Sequence, residues 1–338
     1  MDAMPSHRAR TKLLKTRLQK GISMSANSDV SVRNAPMIRP TTIVESARLN
    51  SFLGVRLILA SETFQHTGSF KFRAAYHVAS NVPQNLLMGA SSGNFGQALA
   101  YACALTGKSC IVVMPSTAAR TKMDAVREYG GRVELIDTNL TSRREKVAEL
   151  ARNHPDAYIA HSADDPLVIE GNSSLGVELS AIRDSFDFVI VPIGGGGLAS
   201  GVVVGLRRGG STVPVIAAEP LLANDAAQSL REGRIVTLDA EPPTIADGAR
   251  VLSVGKHNWK ILQHGLAGVI EVPEDEIVDA VRLLFARANL KVEPTGALGV
   301  AAVLTQKDRF QGRTVCCIIS GGNVDPSRYA ELIAQTVV

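Results

Sequence analysis

From residue 86 onward, the sequence alternates short apolar runs with longer segments whose apolar residues recur every three or four positions. The first pattern predicts buried strands, and the second predicts amphipathic helices. This alternation is typical of a parallel sheet covered by helices on both faces. The predicted strands are 86–90, 110–114, 133–136, 158–160, 188–192, 213–218, 269–272 and 314–319. The predicted helices are 94–106, 120–129, 142–153, 171–183, one from about residue 198, 223–231, 273–288 and 294–304.

The order of these elements predicts an α/β fold with two doubly wound domains and mainly parallel sheets. A chain of 338 residues is long enough for two domains of about 150 residues each. We expect residues 86–161 to form a small domain, and residues 29–85 and 162–338 to form a large one. Residues 1–28 carry six Lys or Arg against one Asp, which predicts a basic tail that is disordered or serves in targeting.

Charge and hydropathy exclude several classes of protein. The net charge of +4 comes from the tail, so the rest of the chain offers no basic surface for nucleic acid. No segment approaches the roughly 18 consecutive apolar residues of a membrane span, so no membrane partner is expected. The cysteines form no C-x-x-C pair, which argues against zinc. We expect a cytoplasmic protein. We also expect its four thiols to be buried, those of Cys103, Cys110, Cys316 and Cys317.

Four consecutive glycines, residues 194–197, stand between a predicted apolar strand and a predicted helix. Their N–H groups and the helix N-terminus can together bind a phosphate group. The spacing of Gly195, Gly197 and Gly201 misses the dinucleotide pattern G-x-G-x-x-G by one residue, and Glu219 stands where a ribose-binding acid would. On this loop alone, a nicotinamide-dependent oxidoreductase and a purely structural turn stay open as alternatives.

Lys71 has an apolar aromatic neighbour on either side, Phe70 and Phe72. An apolar environment disfavours the charged form of a lysine and makes its amine a better nucleophile. Most lysines lie on the surface, so this signal is weak by itself.

Six polar or glycine-rich segments follow one another between about residues 40 and 325. They are Thr67-Gly68-Ser69-Phe70-Lys71-x-Arg73, Ser91-Ser92-Gly93-Asn94-x-Gly96-Gln97, Gly194-Gly195-Gly196-Gly197-Leu198, Thr244-Ile245-Ala246-Asp247-Gly248, Glu293-Pro294-Thr295-Gly296 and Ser320-Gly321-Gly322-Asn323. In content and order they resemble the motifs of the fold type II pyridoxal-phosphate enzymes, within these the group of serine racemases and serine/threonine dehydratases. The resemblance implies a tryptophan synthase β-like fold whose large domain binds pyridoxal 5′-phosphate.

The resemblance also implies a role for each of several side chains. Lys71 would form a Schiff base with the cofactor and later remove the α-proton of the substrate. Phe70 would pack under the pyridine ring, Asn94 would hydrogen-bond the 3′ oxygen, and the backbone of Gly248 would face the ring. The phosphate would be bound by Gly194, Gly195, Gly196, Gly197 and the N–H of Leu198.

Ser320 would hydrogen-bond the pyridine nitrogen. A hydroxyl, unlike a carboxylate, does not enforce protonation of that nitrogen, so the cofactor becomes a weaker electron sink. Departure of a β-hydroxyl group can relieve the negative charge before it accumulates, so such a site favours elimination.

The turn of residues 91–94 would bind the substrate. Because the turn opens a predicted helix, its free N–H groups can receive the substrate carboxylate, with Ser91, Ser92 and Asn94 in contact. Ser92 matches the position from which racemases transfer a proton on the face opposite Lys71, although a plain helix cap is an alternative. The family usually has His where this chain has Phe95, so Phe95 either packs in the core or faces a bulky, even aromatic, substrate side chain.

Glu219, Ala223 and Asp225 resemble the divalent-cation site of the racemase group, in which two carboxylates and a backbone carbonyl bind Mg²⁺ or Ca²⁺. The alternative is a helix cap made by Asn224 or Asp225.

Taken together, the resemblance implies a lyase that dehydrates a 3-hydroxy amino acid of the serine or threonine type, or an aromatic one such as phenylserine. The products would be a 2-keto acid and ammonia. A racemase that uses Lys71 and Ser92 is the alternative. A homodimer is expected by resemblance only.

Overall fold

In the computed structural model, the described part of the chain comprises residues 37–334 except 92, 119 and 183–185. The predicted basic tail, residues 1–28, lies outside it. Two sheets organise this part of the chain. The strands are β1 (Thr42–Val44), β2 (Arg56–Ser61), β3 (Leu86–Ala90), β4 (Ser109–Pro115), β5 (Arg132–Ile136), β6 (Tyr158–Ile159), β7 (Phe188–Pro192), β8 (Val215–Pro220), β9 (Gly268–Val272) and β10 (Thr314–Ile319).

At least one helix lies between each strand and the next along the chain. They are α1 (Ala47–Leu53), α2 (Lys71–Asn81), α3 (Asn94–Leu105), α4 (Arg120–Glu128), α5 (Arg143–Asn153), α6 (Pro166–Ser180), α7 (Gly197–Arg208), α8 (Asp225–Glu232), α9 (Lys256–Gly265), α10 (Glu274–Ala288), α11 (Pro294–Thr305), α12 (Lys307–Phe310) and α13 (Pro326–Ile333). Short 3₁₀ turns occur at His66–Gly68, Leu221–Ala223 and Asp247–Ala249.

The larger sheet has the strand order β1-β2-β10-β7-β8-β9, and the smaller has the order β5-β4-β3-β6. All pairs are parallel except β1 with β2. This confirms the predicted α/β fold with mainly parallel sheets. The smaller sheet uses strands between residues 86 and 159, and the larger uses strands on either side of that segment. The division into two domains at these limits stays a prediction.

Apolar side chains cover both faces of both sheets, as the uninterrupted apolar runs predict. In β10, Cys317 and Ile319 join one buried cluster, while Cys316 and Ile318 join another. The vicinal cysteines therefore point to opposite faces of the sheet, because successive side chains of a strand alternate. All four cysteines are free and buried, which confirms the expectation of core thiols.

One predicted helix was placed wrongly. The segment 171–183 was expected to be helical, but α6 begins at Pro166 and ends at Ser180, and residue 183 lies outside the described residues. Asp165 caps the helix by accepting the N–H of Leu167, and Pro166 occupies the first turn. An Asp-Pro pair is a readable start signal, since proline has no N–H to leave unpaired there.

The start of α2 is fixed by a buried ion-pair network around Arg73. Its guanidinium donates to both carboxylate oxygens of Glu62, at 2.7 and 2.9 Å, and to Glu178 of α6 at 2.6 Å. Burial alone would lower the pKa of Arg73, but the charges and hydrogen bonds of the two carboxylates raise it well above its ordinary value. The network ties the end of β2 to α2 and α6, and so fixes the helix that Lys71 begins.

No helix of the described residues has the length and hydropathy that a membrane span requires. The cytoplasmic location and the homodimer stay predictions.

Candidate active site

Lys71 is the first residue of α2, directly after the turn that follows β2. Its Nζ donates to the Ser162 carbonyl at 2.7 Å and lies 4.9 Å from the ring centroid of Phe70 and 5.9 Å from that of Phe95. Burial lowers the pKa of Lys71 to about 8, although the charge of Glu293 opposes this shift. At pH 7, an amine with this pKa is neutral in about a tenth of the molecules, far more often than an ordinary lysine.

The glycine loop, residues 194–197, leads from the end of β7 into α7. A Cβ on Gly195 would lie 3.0 Å from the Ala163 Cβ, and one on Gly197 would lie 2.7 Å from the Ala163 carbonyl oxygen. Gly196 has φ of +93°, in the left-handed region that favours glycine. The first N–H groups of α7 have no acceptor within the helix, so they are available to an anion.

Lys71 and the glycine loop meet at one dipeptide, Ser162-Ala163. The Ser162 carbonyl accepts a hydrogen bond from the lysine amine, while Ala163 packs against the loop. The Asn258 amide donates to the carbonyls of Ala163 and Gly195, at 3.1 and 2.7 Å, and so ties this segment to the loop. The two elements that the sequence assigned to one cofactor therefore lie together. Asn258 lies in no recognised motif, so the sequence did not predict its place in the site.

Ser320 lies at the end of β10 and is buried. Its carbonyl accepts the N–H of Phe70 at 3.0 Å, and a β-bridge joins Ser69 to Gly321. The Ser320 motif and the Lys71 motif are thus in direct contact through their backbones.

Gly248 lies against the start of the glycine loop. Its carbonyl oxygen is 3.0 Å from the position of a Cβ on Gly194, and its N–H donates to the Thr295 hydroxyl at 2.9 Å. Five of the six motifs are therefore linked to one another, either directly or through Ser162-Ala163.

The predicted substrate-binding turn lies between β3 and α3. The Ser91 hydroxyl accepts the N–H groups of Gly93 and Gly96, at 3.2 and 3.0 Å, so Ser91 supports the start of the helix. Asn94 donates through Nδ2 to Glu293 Oε1 at 2.7 Å. Ser92, the proposed racemase acid/base, lies outside the described residues.

Phe95 is only 2% exposed and belongs to the apolar cluster of α2, α3 and β4. Its ring lies 3.5 Å from the position of a Cβ on Gly89. One side of the ring therefore packs in the core, and the Lys71 amine lies 5.9 Å from the ring centroid.

A family model for pyridoxal-phosphate dependent enzymes matches residues 35–321, which include every one of these motifs up to Gly321. The chain belongs to this family.

Relatives of this pyridoxal-phosphate dependent enzyme carry out elimination or racemisation. Human serine racemase is 36% identical over 308 residues, covering 88% of this chain and 89% of the relative. The L-threo-3-hydroxyaspartate ammonia-lyase of Pseudomonas sp is 34% identical over 297 residues, covering 87% and 92%. The solved structure of a threonine deaminase from T.th. superposes with a TM-score of 0.82 at 39% identity, covering 87% and 96%.

The residues present fit the cofactor of the family. Pyridoxal phosphate offers an aldehyde and a phosphate, and the site offers an amine of lowered pKa beside a loop with free N–H groups. The nicotinamide alternative is excluded by the family match.

The sequence also missed a buried carboxyl group and its neighbours. Burial, and next the charge of Asp247, raise the pKa of Glu293 to about 8, while Lys122, Asn94 and Lys71 oppose this shift. Lys122 pairs with Asp247 at 2.7 Å and lies 3.6 Å from the position of a Cβ on Gly93. Glu293 lies in one of the six motifs, but the sequence assigned it no role. Lys122 lies in none of them, so nothing in the local sequence marked it as a site residue.

Glu219 and Asp225, two of the predicted metal ligands, are buried near the start of α8. Glu219 accepts the N–H groups of Ala226 and Ala227, so the helix is capped by Glu219, whereas the alternative drawn from the sequence was a cap by Asn224 or Asp225. Burial raises the pKa of Glu219 to about 9 and that of Asp225 to about 7. In the described part of the chain, no three or more His, Cys, Asp or Glu side chains group together around a possible metal position.

Proposed function

We propose that this chain is a pyridoxal-phosphate dependent lyase that dehydrates a 3-hydroxy amino acid to a 2-keto acid and ammonia. One observation supports this most strongly. The desolvated Lys71 amine donates to Ser162, and the next residue, Ala163, packs on the glycine loop. Relatives named ammonia-lyase, dehydratase and threonine deaminase support the same reaction.

The glycine loop, together with the N–H of Leu198, would hold the cofactor phosphate, and Lys71 would hold its aldehyde carbon. Phe70 would support the ring, because its backbone is fixed to Ser320 and its own ring borders the amine. The Ser320 hydroxyl would meet the ring nitrogen. When bound, the cofactor withdraws electrons from the α-carbon of the substrate amine and so acidifies the α-proton.

In the reaction, the substrate amine would replace Lys71 on the cofactor and so release its amine. The freed Lys71 Nζ would then remove that α-proton, and the β-hydroxyl would leave with one proton as water. The resulting enamine takes up one water and releases ammonia, so the substrate is converted to 2-keto acid and ammonia without net gain or loss of water. The N–H groups of Ser91 and Gly93 donate to the Val113 carbonyl and to the Ser91 hydroxyl. The N–H of Asn94, the first residue of α3, would therefore bind the substrate carboxylate and keep the α-carbon within reach of the amine.

The side chain that the site accepts is a finer part of the proposal. Serine and threonine fit the family resemblance, and relatives named for hydroxyaspartate add that amino acid. Phe95 in place of the usual His removes a polar group near the amine and favours an apolar or aromatic substituent such as that of phenylserine.

Purified holoenzyme supplied with serine, threonine, phenylserine and 3-hydroxyaspartate tests the proposal. We expect equimolar 2-keto acid and ammonia from at least one of them, and kcat/KM ranks the side chains. A ranking with serine above phenylserine would reject the role of Phe95 in selecting an aromatic substrate. Absence of ammonia from all four would reject the lyase.

The second candidate is racemisation, supported by relatives named serine racemase. It shares the removal of the α-proton but requires a proton donor on the opposite face, for which Ser92 is the proposed residue. Chirally resolved analysis of the remaining substrate distinguishes the two, because only a racemase returns amino acid of inverted configuration.

We also propose a divalent cation held by Glu219, Asp225 and the carbonyl of Ala223. The Oδ2 atom of Asp225 is buried without a hydrogen-bond partner, and two neighbouring buried carboxylates require a proton or a cation. Oxygen ligands suit Mg²⁺ or Ca²⁺, which would order the loop before α8.

Calcium added to chelator-treated protein should then raise Tm. At a calcium concentration of 100 times Kd, binding adds about 2.7 kcal/mol, which corresponds to roughly 5 °C for a chain of this size. The Asp225→Asn variant should lose most of the shift. An equal shift in wild type and variant would show that calcium acts elsewhere.

A further inference from the structure

Asn323 follows β10 and links two loops that belong to different motifs. Its Nδ2 donates to the Thr67 carbonyl at 2.7 Å and to Asn94 Oδ1 at 2.9 Å. Gly68 packs so tightly on it that a Cβ there would lie 2.5 Å from Asn323 Oδ1. One side-chain amide therefore joins the turn before Lys71 to the first residue of α3.

These contacts fix which way both amides face. The Thr67 carbonyl can only accept, so the Asn323 group that faces it must be the NH₂. The same NH₂ gives its second hydrogen to Asn94, so the Asn94 atom that faces it must be Oδ1. The Nδ2 of Asn94 is thus turned away, and it donates one hydrogen to Glu293.

An NH₂ group has two hydrogens, and the contacts in the described part of the chain engage one of those on Asn94. The second remains available to a ligand. A flipped Asn94 would instead present Oδ1, whose lone pairs would repel an oxygen anion.

The backbone of this turn is strained, which supports a functional reason for its geometry. Thr67 has φ of +60°, a left-handed conformation that a β-branched residue rarely adopts. Such strain persists where the surrounding contacts over-determine the conformation. The hydrogen bond from Asn323 to the Thr67 carbonyl is one of those contacts, and Gly322 adds another by donating to the Gly68 carbonyl at 3.0 Å.

We propose that Asn323 is a positioning residue that locks the Asn94 amide so that it offers N–H, and not C=O, to the 3′ oxygen of pyridoxal phosphate. The inference rests on the cofactor role proposed above for Asn94. An N–H donor stabilises the ionised form of that oxygen, because a hydrogen bond to a charged acceptor is the stronger kind. The charge on the 3′ oxygen determines the balance between the near-visible and near-ultraviolet absorption bands of the bound cofactor, so the absorption spectrum reports the amide orientation directly.

The Asn323→Leu substitution removes both donated hydrogen bonds at similar volume. In the holoenzyme, we expect the ratio of the near-visible to the near-ultraviolet band to fall roughly tenfold, as the loss of one hydrogen bond to a charged group implies. The Asn94→Ala variant should show the same change. The double variant should change the ratio no further than either single variant, because Asn323 acts through Asn94.

A matched control is Asn50→Leu. The Asn50 Oδ1 accepts the N–H of Leu57 at 3.0 Å and so joins α1 to β2. This control should lower Tm without changing the band ratio. If Asn323→Leu does not fold, Asn323→Ser, which also loses the reach to Asn94, is judged by the same criterion.

A folded Asn323 variant with the wild-type band ratio would overturn this inference while leaving the proposed lyase intact. Additive changes in the double variant would also overturn it. A wild-type protein that shows no near-visible band would reject the cofactor role of Lys71 instead, so the two failures are distinguishable.

Discussion

Replacement of Lys71 by alanine is expected to lower kcat/KM for the best 3-hydroxy amino acid by at least about 10⁴-fold. The variant loses both the amine that would bond the cofactor and the base that would take the α-proton, and each role is large. The pKa of about 8 gives the amine a neutral fraction that an ordinary lysine lacks at physiological pH. The measurement is the rate of 2-keto acid and ammonia formation at saturating pyridoxal phosphate.

Lys108→Ala is the matched control for this variant. The Lys108 amine also donates to a backbone carbonyl, but it lies on the loop after α3, and its acceptor, Val82, belongs to none of the motifs. Its kcat/KM should stay within about threefold of wild type, since it takes no part in the reaction. Equal losses in the two variants would show that Lys71 acts only through stability.

Arg73→Met is expected to have the largest effect on stability. The side chains of Arg73 and Glu62 are both fully buried, and Glu178 completes the network. Removal of the cation leaves two carboxylates without a counter-charge, one of them in the core. The free energy of unfolding should fall by about 3–5 kcal/mol, as measured by denaturant titration.

The control for this prediction is Arg208→Met. Arg208 pairs with Glu170 at 2.7 Å, but both side chains are about 40% exposed. An exposed pair contributes only about 0–1 kcal/mol. If the free energy of unfolding fell by a similar amount in both variants, this would contradict the conclusion that the Arg73 network fixes the start of α2.

Much of the fold was predictable because its strands are buried on both faces. The runs 86–90, 188–192 and 314–319 are mostly apolar, and the structure has strands with these limits. The segment before residue 86 was not divided into elements, so β1, β2, α1 and α2 were not predicted. The start of α6 at Pro166 was not predicted, although the pair Asp165-Pro166 is a helix start signal.

Of the site, the sequence predicted the groups that lie within recognisable local motifs. Lys71, the glycine loop and Asn94 belong to such motifs, and the structure brings them together. Asn323 lies in a motif but had no assigned role, and Lys122 and Asn258 lie in none. All three act through contacts with residues far away in the chain, for example Asn323 with Thr67 at a separation of 256 residues. Periodicity and spacing carry no information on such pairs, so only the folded chain reveals them.

The proposed chemistry requires a covalent bond between the Lys71 amine and the cofactor whose phosphate rests on the glycine loop. Reduction of the holoenzyme with borohydride, followed by proteolysis and mass spectrometry, tests it most directly. We predict one phosphopyridoxyl group on the peptide that contains Lys71, and none on that peptide in Lys71→Ala. A phosphopyridoxyl group on any other lysine, with Lys71 unmodified, would contradict the account.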